Sequence, residues 1–414
     1  MNKIKNSKII DYLSWSVIFL IPLLITGPLL PEIVMNVSII VFLHHLVLKK
    51  KIDYLKNTYT YLFLTFFVYI NINSLINFNL VSLKSSALYF RFYLLTMLVV
   101  YCLENNKFFV NRFFKTLIIT ISILIIDGTI QYFFGKNILG WEKIVHFRVS
   151  SFFGDEMIFG SYLFRVAPFL MVSYYFIQNN RPNNSGFFLI VALLFFGISI
   201  SGERTAFFLF VIFLTLLIPL IINFLKKIKF IHIFSAGFFL ILIFSTDSFN
   251  RNIKTTINSI LVSDGEKINK IRLFSYVHES HYKTAFKIFE NNKVFGIGIK
   301  QFREKCKKPE YIIDKHSCST HPHNYYMQFL SEIGLIGLLF LSAVFLTSLL
   351  YLVLVLKKKN ISRKYIGEFY ILNCGIFTTL FPLAPSGNFF NNWLSFFLFF
   401  LFGFIIYFNK KIKF

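Results

Sequence analysis

Two histidines stand directly before an apolar segment in the stretch THPHNYYMQFLSEIGLIGLLF, which runs from Thr320 to Phe340. A histidine at a membrane surface can act as a general base that takes the proton from an attacking hydroxyl, an effect typically worth about 100-fold to 10,000-fold in rate. His323 and its neighbour His321 are the candidates for this role. The alternative that these residues alone favour is structural, because Thr320 or Asn324 can cap the helix that follows.

A metal site is a third interpretation of the same histidines. The spacing His-x-His provides two ligands, and no cysteine or carboxylate set in the sequence completes a zinc site. The sequence also contains no Asp-x-Asp motif. We therefore expect neither a metal nor another cofactor, and we disfavour a metal-dependent enzyme that uses nucleotide sugars.

Several ionisable residues lie within or beside apolar segments, where a charge costs about 2.5 to 3.5 kcal/mol on insertion scales. They are Arg91, Asp127, Arg165, Glu203 and Arg204. Arg91 and Arg165 can contact a ligand, or they can reach for the interface or pair with Asp127. For Arg204 we favour ligand contact over an interfacial anchor beside Glu203, because a glycine directly before that pair breaks the apolar pattern.

Phosphate is the ligand that these arginines suit. A guanidinium stays protonated, and its planar fork forms bidentate charged hydrogen bonds. Several such groups near the outer leaflet would match a diphosphate that is attached to a membrane lipid.

The composition indicates the environment of these residues. The chain has 414 residues, of which 56% are hydrophobic and 20% aromatic, and its mean hydropathy is +0.64. These values are typical of a polytopic membrane protein. The net charge of +24 is compatible with basic cytoplasmic loops. We expect membrane lipids rather than nucleic acid as partners, because no basic stripe is interleaved with exposed aromatic residues.

A window of about 20 apolar residues, the length that crosses the hydrocarbon core, predicts an all-α integral membrane protein with about twelve transmembrane helices. The predicted spans are residues 12–28, 30–48, 58–78, 84–103, 114–134, 157–178, 186–201, 204–225, 229–247, 332–356, 365–384 and 391–408. They divide into an N-terminal bundle of about nine spans over residues 1–247 and about three C-terminal spans over residues 332–414. Residues 248–331 form one long, partly helical loop between them.

The lysines and arginines concentrate in every second loop, which places those loops in the cytoplasm and the others outside. The long loop is therefore outward, or periplasmic, although it is itself basic. Its charge favours an anionic ligand on that side. Within it, Tyr282, Ala285, Phe286 and Phe289 share one helical face, which predicts a helix lying on the membrane surface.

The long loop also contains two cysteines, Cys306 and Cys318. They can form a disulfide if the loop faces an oxidising compartment. Gly296 and Gly298, in the segment VFGIGIKQF, predict a turn, because no nucleotide-binding motif surrounds them.

Four segments resemble the O-antigen ligase and O-antigen polymerase superfamily of bacterial inner-membrane glycosyltransferases. They are RVSSFFGDEMIFGSYL (Arg148 to Leu163), SGERTAFF (Ser201 to Phe208), NNKVFGIGIKQFR (Asn291 to Arg303) and HPHNYYMQFLSEIGLIGL (His321 to Leu338). The last is the most specific, because His-Asn-x-Tyr precedes a helix start of the form Glu-x-Gly-Leu-x-Gly. The resemblance covers about residues 85–405.

The resemblance implies a metal-independent, inverting enzyme that moves a glycan from undecaprenyl diphosphate to a hydroxyl of an acceptor such as lipid A-core. It implies that Arg204 contacts the diphosphate and that His323 is the base, with His321 as a close alternative. Family members carry a further basic residue before the Gly-x-Gly segment, and Arg272, His278 and His281 compete for that place.

Other candidates for substrate binding are Arg91, Arg148 and Arg165, which could help to hold the diphosphate, and Asn324. The implied location is the bacterial inner membrane, with the active site on the periplasmic face. A ligase is the first interpretation, because a single long loop near the C-terminal third accompanies the HPHN motif.

Three alternatives stay open. A polymerase would use the same carrier-linked donor and differ mainly in its acceptor. A transporter of polysaccharide or lipid would need polar residues that continue to the cytoplasmic side. An inert assembly partner would tolerate loss of His323 and Arg204.

Overall fold

The described part of the chain is almost entirely helical. The computed structural model describes residues 2–178, 184–225, 247–264, 267–357 and 364–412. In these ranges the α-helices are α1 (Asn2–Leu23), α2 (Leu29–Leu48), α3 (Thr58–Ile76), α4 (Leu80–Ala87), α5 (Phe90–Asn105), α6 (Phe109–Phe134), α7 (Phe159–Ile177), α8 (Asn184–Ile200), α9 (Arg204–Leu225), α10 (Asp247–Asn250), α11 (Thr256–Ile260), α12 (Tyr276–Asn291), α13 (Phe302–Lys305), α14 (Tyr325–Glu332), α15 (Gly334–Lys357), α16 (Ile366–Thr379) and α17 (Asn392–Lys411).

Shorter elements complete the description. The 3-10 segments are Leu24–Thr26, Ile52–Leu55, Ser151–Phe153 and Pro309–Tyr311, and a π-helical turn covers Arg251–Thr255. Strands β1 (Leu261–Asp264) and β2 (Lys267–Ile271) form a small antiparallel hairpin in the long loop. The predicted helical class is confirmed, and this hairpin is an addition to it.

Seven helices among the described residues are long and apolar enough to cross a membrane. They are Ser7–Thr26, Leu29–Leu48, Thr58–Ile76, Leu80–Asn105, Phe109–Phe134, Gly334–Lys357 and Asn392–Lys411. Ser185–Ile200 and Arg204–Leu220 are shorter apolar helices. The predicted spans 157–178 and 365–384 correspond to α7 and α16, and the predicted span 229–247 lies almost entirely outside the described residues.

The centre of the bundle is formed by α5 and α17, which pack along each other. Phe92 of α5 has its ring centroid 5.6 Å from that of Phe396 and 5.8 Å from that of Phe399. Gly403 allows this approach, because a Cβ there would lie 2.7 Å from a methyl group of Val99. Small residues at such crossings are typical of helix packing in membranes.

Hydrogen bonds and ion pairs connect the helix ends that adjoin the lysine-rich loops. Glu104, at the end of α5, accepts a hydrogen bond from the Tyr54 hydroxyl (2.9 Å) and pairs with Lys410 at the end of α17 (3.1 Å). Arg112 pairs with Asp11 in the same way. Because α5 and α17 both end here, their first residues lie at the opposite end of the bundle, where the motif residues collect.

Helix α12 in the long loop was predicted to lie on the membrane surface, and its apolar face is in fact divided. Ala285 and Ile288 are fully buried in a small core of the long loop, together with Phe302. Phe286, by contrast, is 49% exposed. The helix packs on α14, so most of the face that the sequence assigned to lipid is covered by protein.

A disulfide joins Cys306 to Cys318, whose Cα atoms lie 5.1 Å apart. Cys306 is fully buried in the core of the long loop. The bond closes a short loop that ends directly before the histidine motif. The sequence allowed this disulfide, and the structure contains it.

Removal of this disulfide should destabilise the long loop. We expect the double change Cys306→Ser and Cys318→Ser to lower the free energy of unfolding by about 2 to 3 kcal/mol, because the unfolded loop gains entropy. The melting temperature of the purified full chain, and its resistance to limited proteolysis, would measure this. Mass mapping of unreduced peptides is the direct check, and free thiols at both cysteines would contradict the pairing.

Candidate active site

Several loops meet around a cavity of about 1560 Å³ at one end of the bundle. Its walls come from the turn before α9, the connection between α1 and α2, the connection between α6 and α7, the long loop, and the connection between α16 and α17. Its basic lining residues are Arg148, Arg165, Arg204, Arg251, Lys300, Arg303, His278, His321 and His323. The fold therefore brings most of the predicted site residues into one space from segments that are far apart in the sequence.

Arg204 reaches this cavity from a tight turn between α8 and α9. Gly202 has a φ of +66°, and a Cβ there would overlap the carbonyl oxygen of Phe147, so this turn requires glycine. Glu203 accepts hydrogen bonds from two amides at the start of α7, the closer being that of Gly160 at 2.6 Å. Glu203 thus caps a helix, and in the described part of the chain no ion pair involves Arg204.

Arg148 and Arg165 each use only some of their N–H donors in hydrogen bonds to the protein. Arg148 donates to the carbonyl of Met157 at 2.6 Å, and its buried Nε has no hydrogen-bond partner among the described residues. Arg165 donates to the carbonyl of Ser161 at 3.1 Å and lies 5.6 Å from the ring centroid of Trp393. A guanidinium has five donors, so both side chains retain capacity to bind an anion.

Three further cations of the cavity were missed by sequence reasoning. Arg251 donates to the carbonyl of Gly202 at 3.1 Å and stacks 4.1 Å from the ring centroid of Phe147, which fixes it beside the Arg204 turn. It stands in no recognised motif. Lys300 and Arg303 belong to the quoted segment GIGIKQFR, so the motif itself carried a signal that pointed to them.

The segment before Lys300 is bonded to the junction of α14 and α15. The amide of Gly298 donates to the carbonyl of Glu332 at 2.9 Å. Gly296 and Gly334 have φ values of +67° and +75°, and a Cβ on either would overlap the other segment's backbone. The predicted turn is confirmed, and the close backbone contact explains why glycine is needed on both sides of it.

Histidines from two segments of the long loop form a cluster at the cavity wall. The ring centroid of His323 lies 4.1 Å from that of His321, 5.2 Å from that of His281 and 5.6 Å from that of His278. His278 lines the cavity, whereas His281 is buried behind it. Helix α12 supplies one pair and the HPHN segment supplies the other.

The hydrogen bonds of the two motif histidines differ. Nε2 of His321 lies 3.2 Å from the carbonyl oxygen of Ser386, which can only accept, so this nitrogen carries the proton. Its Nδ1 lies 2.9 Å from the hydroxyl of Thr320. Nε2 of His323 contacts the hydroxyl of Ser319 at 3.0 Å, and that group can donate or accept. Each motif histidine therefore has one ring nitrogen against a hydroxyl, and the carbonyl of Ser386 sets the tautomer of His321.

The backbone of His323 is left-handed, with a φ of +57°. Its carbonyl accepts hydrogen bonds from the amide of Ser386 (2.9 Å) and the hydroxyl of Tyr282 (3.4 Å), which hold this uncommon conformation. Such conformations concentrate at functional sites, where surrounding contacts over-determine them.

Burial keeps the histidines of the cluster unprotonated at neutral pH. Burial, followed by the proximity of His323, lowers the pKa of His321 to about 3 and those of His278 and His281 to about 4. Burial also lowers the pKa of His323 below the ordinary value of 6.5. A neutral imidazole is the form that can accept a proton from a hydroxyl.

The described residues contain no group of three or more His, Cys, Asp or Glu side chains placed to hold a metal ion. The positive charge that the cavity offers to a ligand comes from its arginines and its lysine.

Arg91, predicted to help hold the diphosphate, does not line the cavity. Its guanidinium makes two hydrogen bonds to the carboxylate of Glu32 and one to Asn392, each 3.1 Å long. The suggested partner Asp127 is buried and instead accepts from the hydroxyl of Ser151 at 2.7 Å. Both charges are therefore satisfied within the protein by partners other than those expected.

Arg272 and His281 also lie off the cavity. Nε of Arg272 is 3.9 Å from the carboxylate of Glu279. His281 is 5% exposed and stacks on His323. Of the three candidates for the basic residue before the Gly-x-Gly segment, His278 is the one that the structure brings to the cavity.

Asn324 has both ends of its amide engaged in the fold. Its oxygen accepts from the amides of Tyr326 (2.9 Å) and Met327 (3.2 Å) at the start of α14. Its nitrogen donates to the carbonyl of Pro382 at 2.8 Å. This pattern supports the capping role and leaves little capacity for the predicted substrate contact.

Comparison with known families agrees with this geometry. Residues 189–342 match the family model described as O-antigen ligase. The resemblance to the O-antigen ligase superfamily is thereby confirmed. The residues that match the O-antigen ligase model include the Arg204 turn, the Gly-x-Gly segment and the HPHN motif, whereas Arg148 and Arg165 precede them. No curated protein matches the chain closely enough to count as a relative.

Proposed function

We propose that the protein is an O-antigen ligase-like glycosyltransferase that moves a glycan from undecaprenyl diphosphate to a hydroxyl of a periplasmic acceptor such as lipid A-core. One observation carries the proposal. Unpaired arginine donors and a neutral histidine line the same cavity at the end of a membrane-spanning bundle.

The donor would bind with its diphosphate among Arg148, Arg204 and Arg251. These side chains come from three segments, and their guanidinium groups fit the oxygens of a diphosphate as bidentate donors. The cavity also has apolar walls, including Ile25, Leu209 and other side chains at helix ends. An amphiphilic donor with a charged head and a hydrocarbon chain matches this mixed lining.

The reaction would proceed by direct displacement. The acceptor hydroxyl oxygen forms a bond to the anomeric carbon while its proton passes to His323. The bond between that carbon and the diphosphate oxygen breaks, and the carrier diphosphate leaves with the electron pair. Arginines that stabilise the developing negative charge can replace a metal ion, and such preorganised donors are typically the largest single contribution to catalysis. The displacement inverts the anomeric configuration.

The location would be the bacterial inner membrane, crossed by about twelve helices, with the cavity facing the periplasm. The lysine-bearing helix ends around Glu104 and Lys410 support a cytoplasmic assignment for the other side. The disulfide in the long loop supports an oxidising compartment around the cavity.

The test is the glycolipid profile of cells of the source bacterium that lack the protein, with and without the wild-type gene restored. For a ligase we expect polymer to disappear from the lipid core and to accumulate on the carrier lipid. Cores that carry a single repeat would instead indicate a polymerase. An unchanged profile would contradict both activities and would favour transport or another glycan.

A further inference from the structure

Apart from Arg165, the cations of the cavity fall into two groups, one at the Gly202 turn and one in the segment after Gly298. Arg251 donates to the Gly202 carbonyl at 3.1 Å, and Cγ of Arg148 lies 3.5 Å from the position of a Cβ on Gly202, so both stand at the turn that precedes Arg204. Besides burial, the charge of Arg204 helps to lower the pKa of His278. In the second group, the charge of Arg303 helps, besides burial, to lower the pKa of His321. This second group lies closest to the Gly-x-Gly segment.

Lys300 and Arg303 form the second group. They stand three positions apart in the segment GIGIKQFR, and both side chains line the cavity. Within the described residues neither forms an ion pair with a carboxylate. The buried acid Glu332 accepts hydrogen bonds from the amide of Phe302 (3.1 Å) and the side chain of Gln328 (2.8 Å).

Contacts with neighbouring segments fix the backbone of Lys300 and Arg303. Lys300 is left-handed, with a φ of +61°, directly after the glycines that pair with the α14–α15 junction. Arg303 lies in α13, and its carbonyl oxygen lies 4.0 Å from Sγ of Cys318 in the disulfide. A lysine with φ above zero is uncommon, and it persists here because the neighbouring contacts impose it.

The direction of the reaction assigns the two groups to different substrates. In a displacement the attacking hydroxyl and the leaving diphosphate lie on opposite sides of the reacting carbon. If the diphosphate occupies the arginines beside His278, the acceptor approaches from the side of His321. Arg303 acts on His321 from that side, and Lys300 stands three positions before it in the same segment.

We propose that Lys300 and Arg303 form a subsite for an oxyanion, a phosphate or a carboxylate, carried by the acceptor glycan. This inference rests on the proposed function and deepens it, because it names a charged group that the acceptor must present. The subsite selects the acceptor, whereas the arginines around Arg204 serve the donor.

The test uses membranes that contain the full chain, a labelled carrier-linked glycan as donor, and acceptor glycolipid from cells that lack the protein. The double variant Lys300→Gln and Arg303→Gln should raise the acceptor KM about tenfold to a hundredfold, the range typical of lost hydrogen bonds to a charged group. The donor KM and kcat should stay within about twofold. The matched control is Lys308→Gln, an exposed lysine of the same loop that does not line the cavity.

Chemical removal of the acceptor's charge distinguishes the two sources of the oxyanion. Dephosphorylated acceptor should reproduce the raised KM with the wild-type protein if the group is a phosphate, and carboxyl-reduced acceptor should do so if it is a carboxylate. In either case the double variant should show no further loss. An unchanged acceptor KM, or a rise in the donor KM instead, would overturn the subsite. Absence of transfer by the wild-type protein to every acceptor would overturn the proposed function, and the subsite with it.

Discussion

Replacement of His323 by asparagine should reduce transfer by about 100-fold to 10,000-fold while the protein still folds. Asparagine tolerates the left-handed backbone that this position requires, so the change removes the base without adding strain. The rate of glycan transfer in membranes, normalised to the amount of folded protein, measures the effect.

The same assay has an internal control and a pH signature. His316→Asn alters a half-buried histidine of the long loop that does not line the cavity, and we expect it to keep wild-type activity. Because burial lowers the pKa of His323 below 6.5, the base is mostly neutral at pH 6.5, and activity should fall at a more acidic pH than an ordinary histidine would give. Full activity of His323→Asn would remove the histidine from the mechanism.

Replacement of Arg204 by glutamine should lower kcat about 100-fold to 1000-fold, as loss of one preorganised charge-stabilising donor typically does. The leaving diphosphate would then develop its charge without the guanidinium that the Gly202 turn aims into the cavity. The kcat of Arg204→Lys should lie between those of the wild type and Arg204→Gln, because the charge remains and the planar fork is lost. Single-turnover kinetics would separate this chemical step from substrate binding.

Arg91 provides the contrast for this prediction. Arg91→Gln would leave Glu32 without its ion-pair partner, and we expect lower thermal stability with nearly unchanged transfer per folded molecule. If the folded Arg91→Gln variant lost as much kcat as Arg204→Gln, the separation between a structural arginine and a diphosphate-binding arginine would be wrong.

The sequence was sufficient for the class of fold and for the residues that stand in motifs. A search for apolar windows of about 20 residues predicted most of the helices, because a helix that crosses the lipid bilayer needs an apolar segment of about that length. His323 and Arg204 could be singled out because each is polar in an apolar context, and the structure places both at one cavity. These inferences depend on local composition, which a single sequence records directly.

Pairings between distant segments could not be predicted in the same way. Arg91 binds Glu32, 59 positions away on another helix, and no periodicity in either segment reports this. Glu203 follows Gly202 and adjoins Arg204 in the sequence, yet its carboxylate caps α7, more than forty positions earlier in the chain. Arg251 was missed because its role arises only when the chain folds it beside the Gly202 turn.

The histidine cluster shows the same limit. The HPHN segment was recognised as a site, but its contact with α12 depends on the packing of two helices in the long loop. That packing selects His278 over Arg272 and His281 at the cavity wall. The sequence offered three candidates for the basic residue of the cavity, and only the tertiary contacts distinguish them.

The most direct test of the diphosphate site is a cryo-electron microscopy structure of the full chain in lipid nanodiscs, with a carrier-linked glycan bound to the His323→Asn variant. We expect the diphosphate within hydrogen-bonding distance of Arg204, with the hydrocarbon chain along the apolar cavity wall and no metal ion between them. A diphosphate bound at Lys300 and Arg303, held through a metal, or placed outside the cavity would contradict the account.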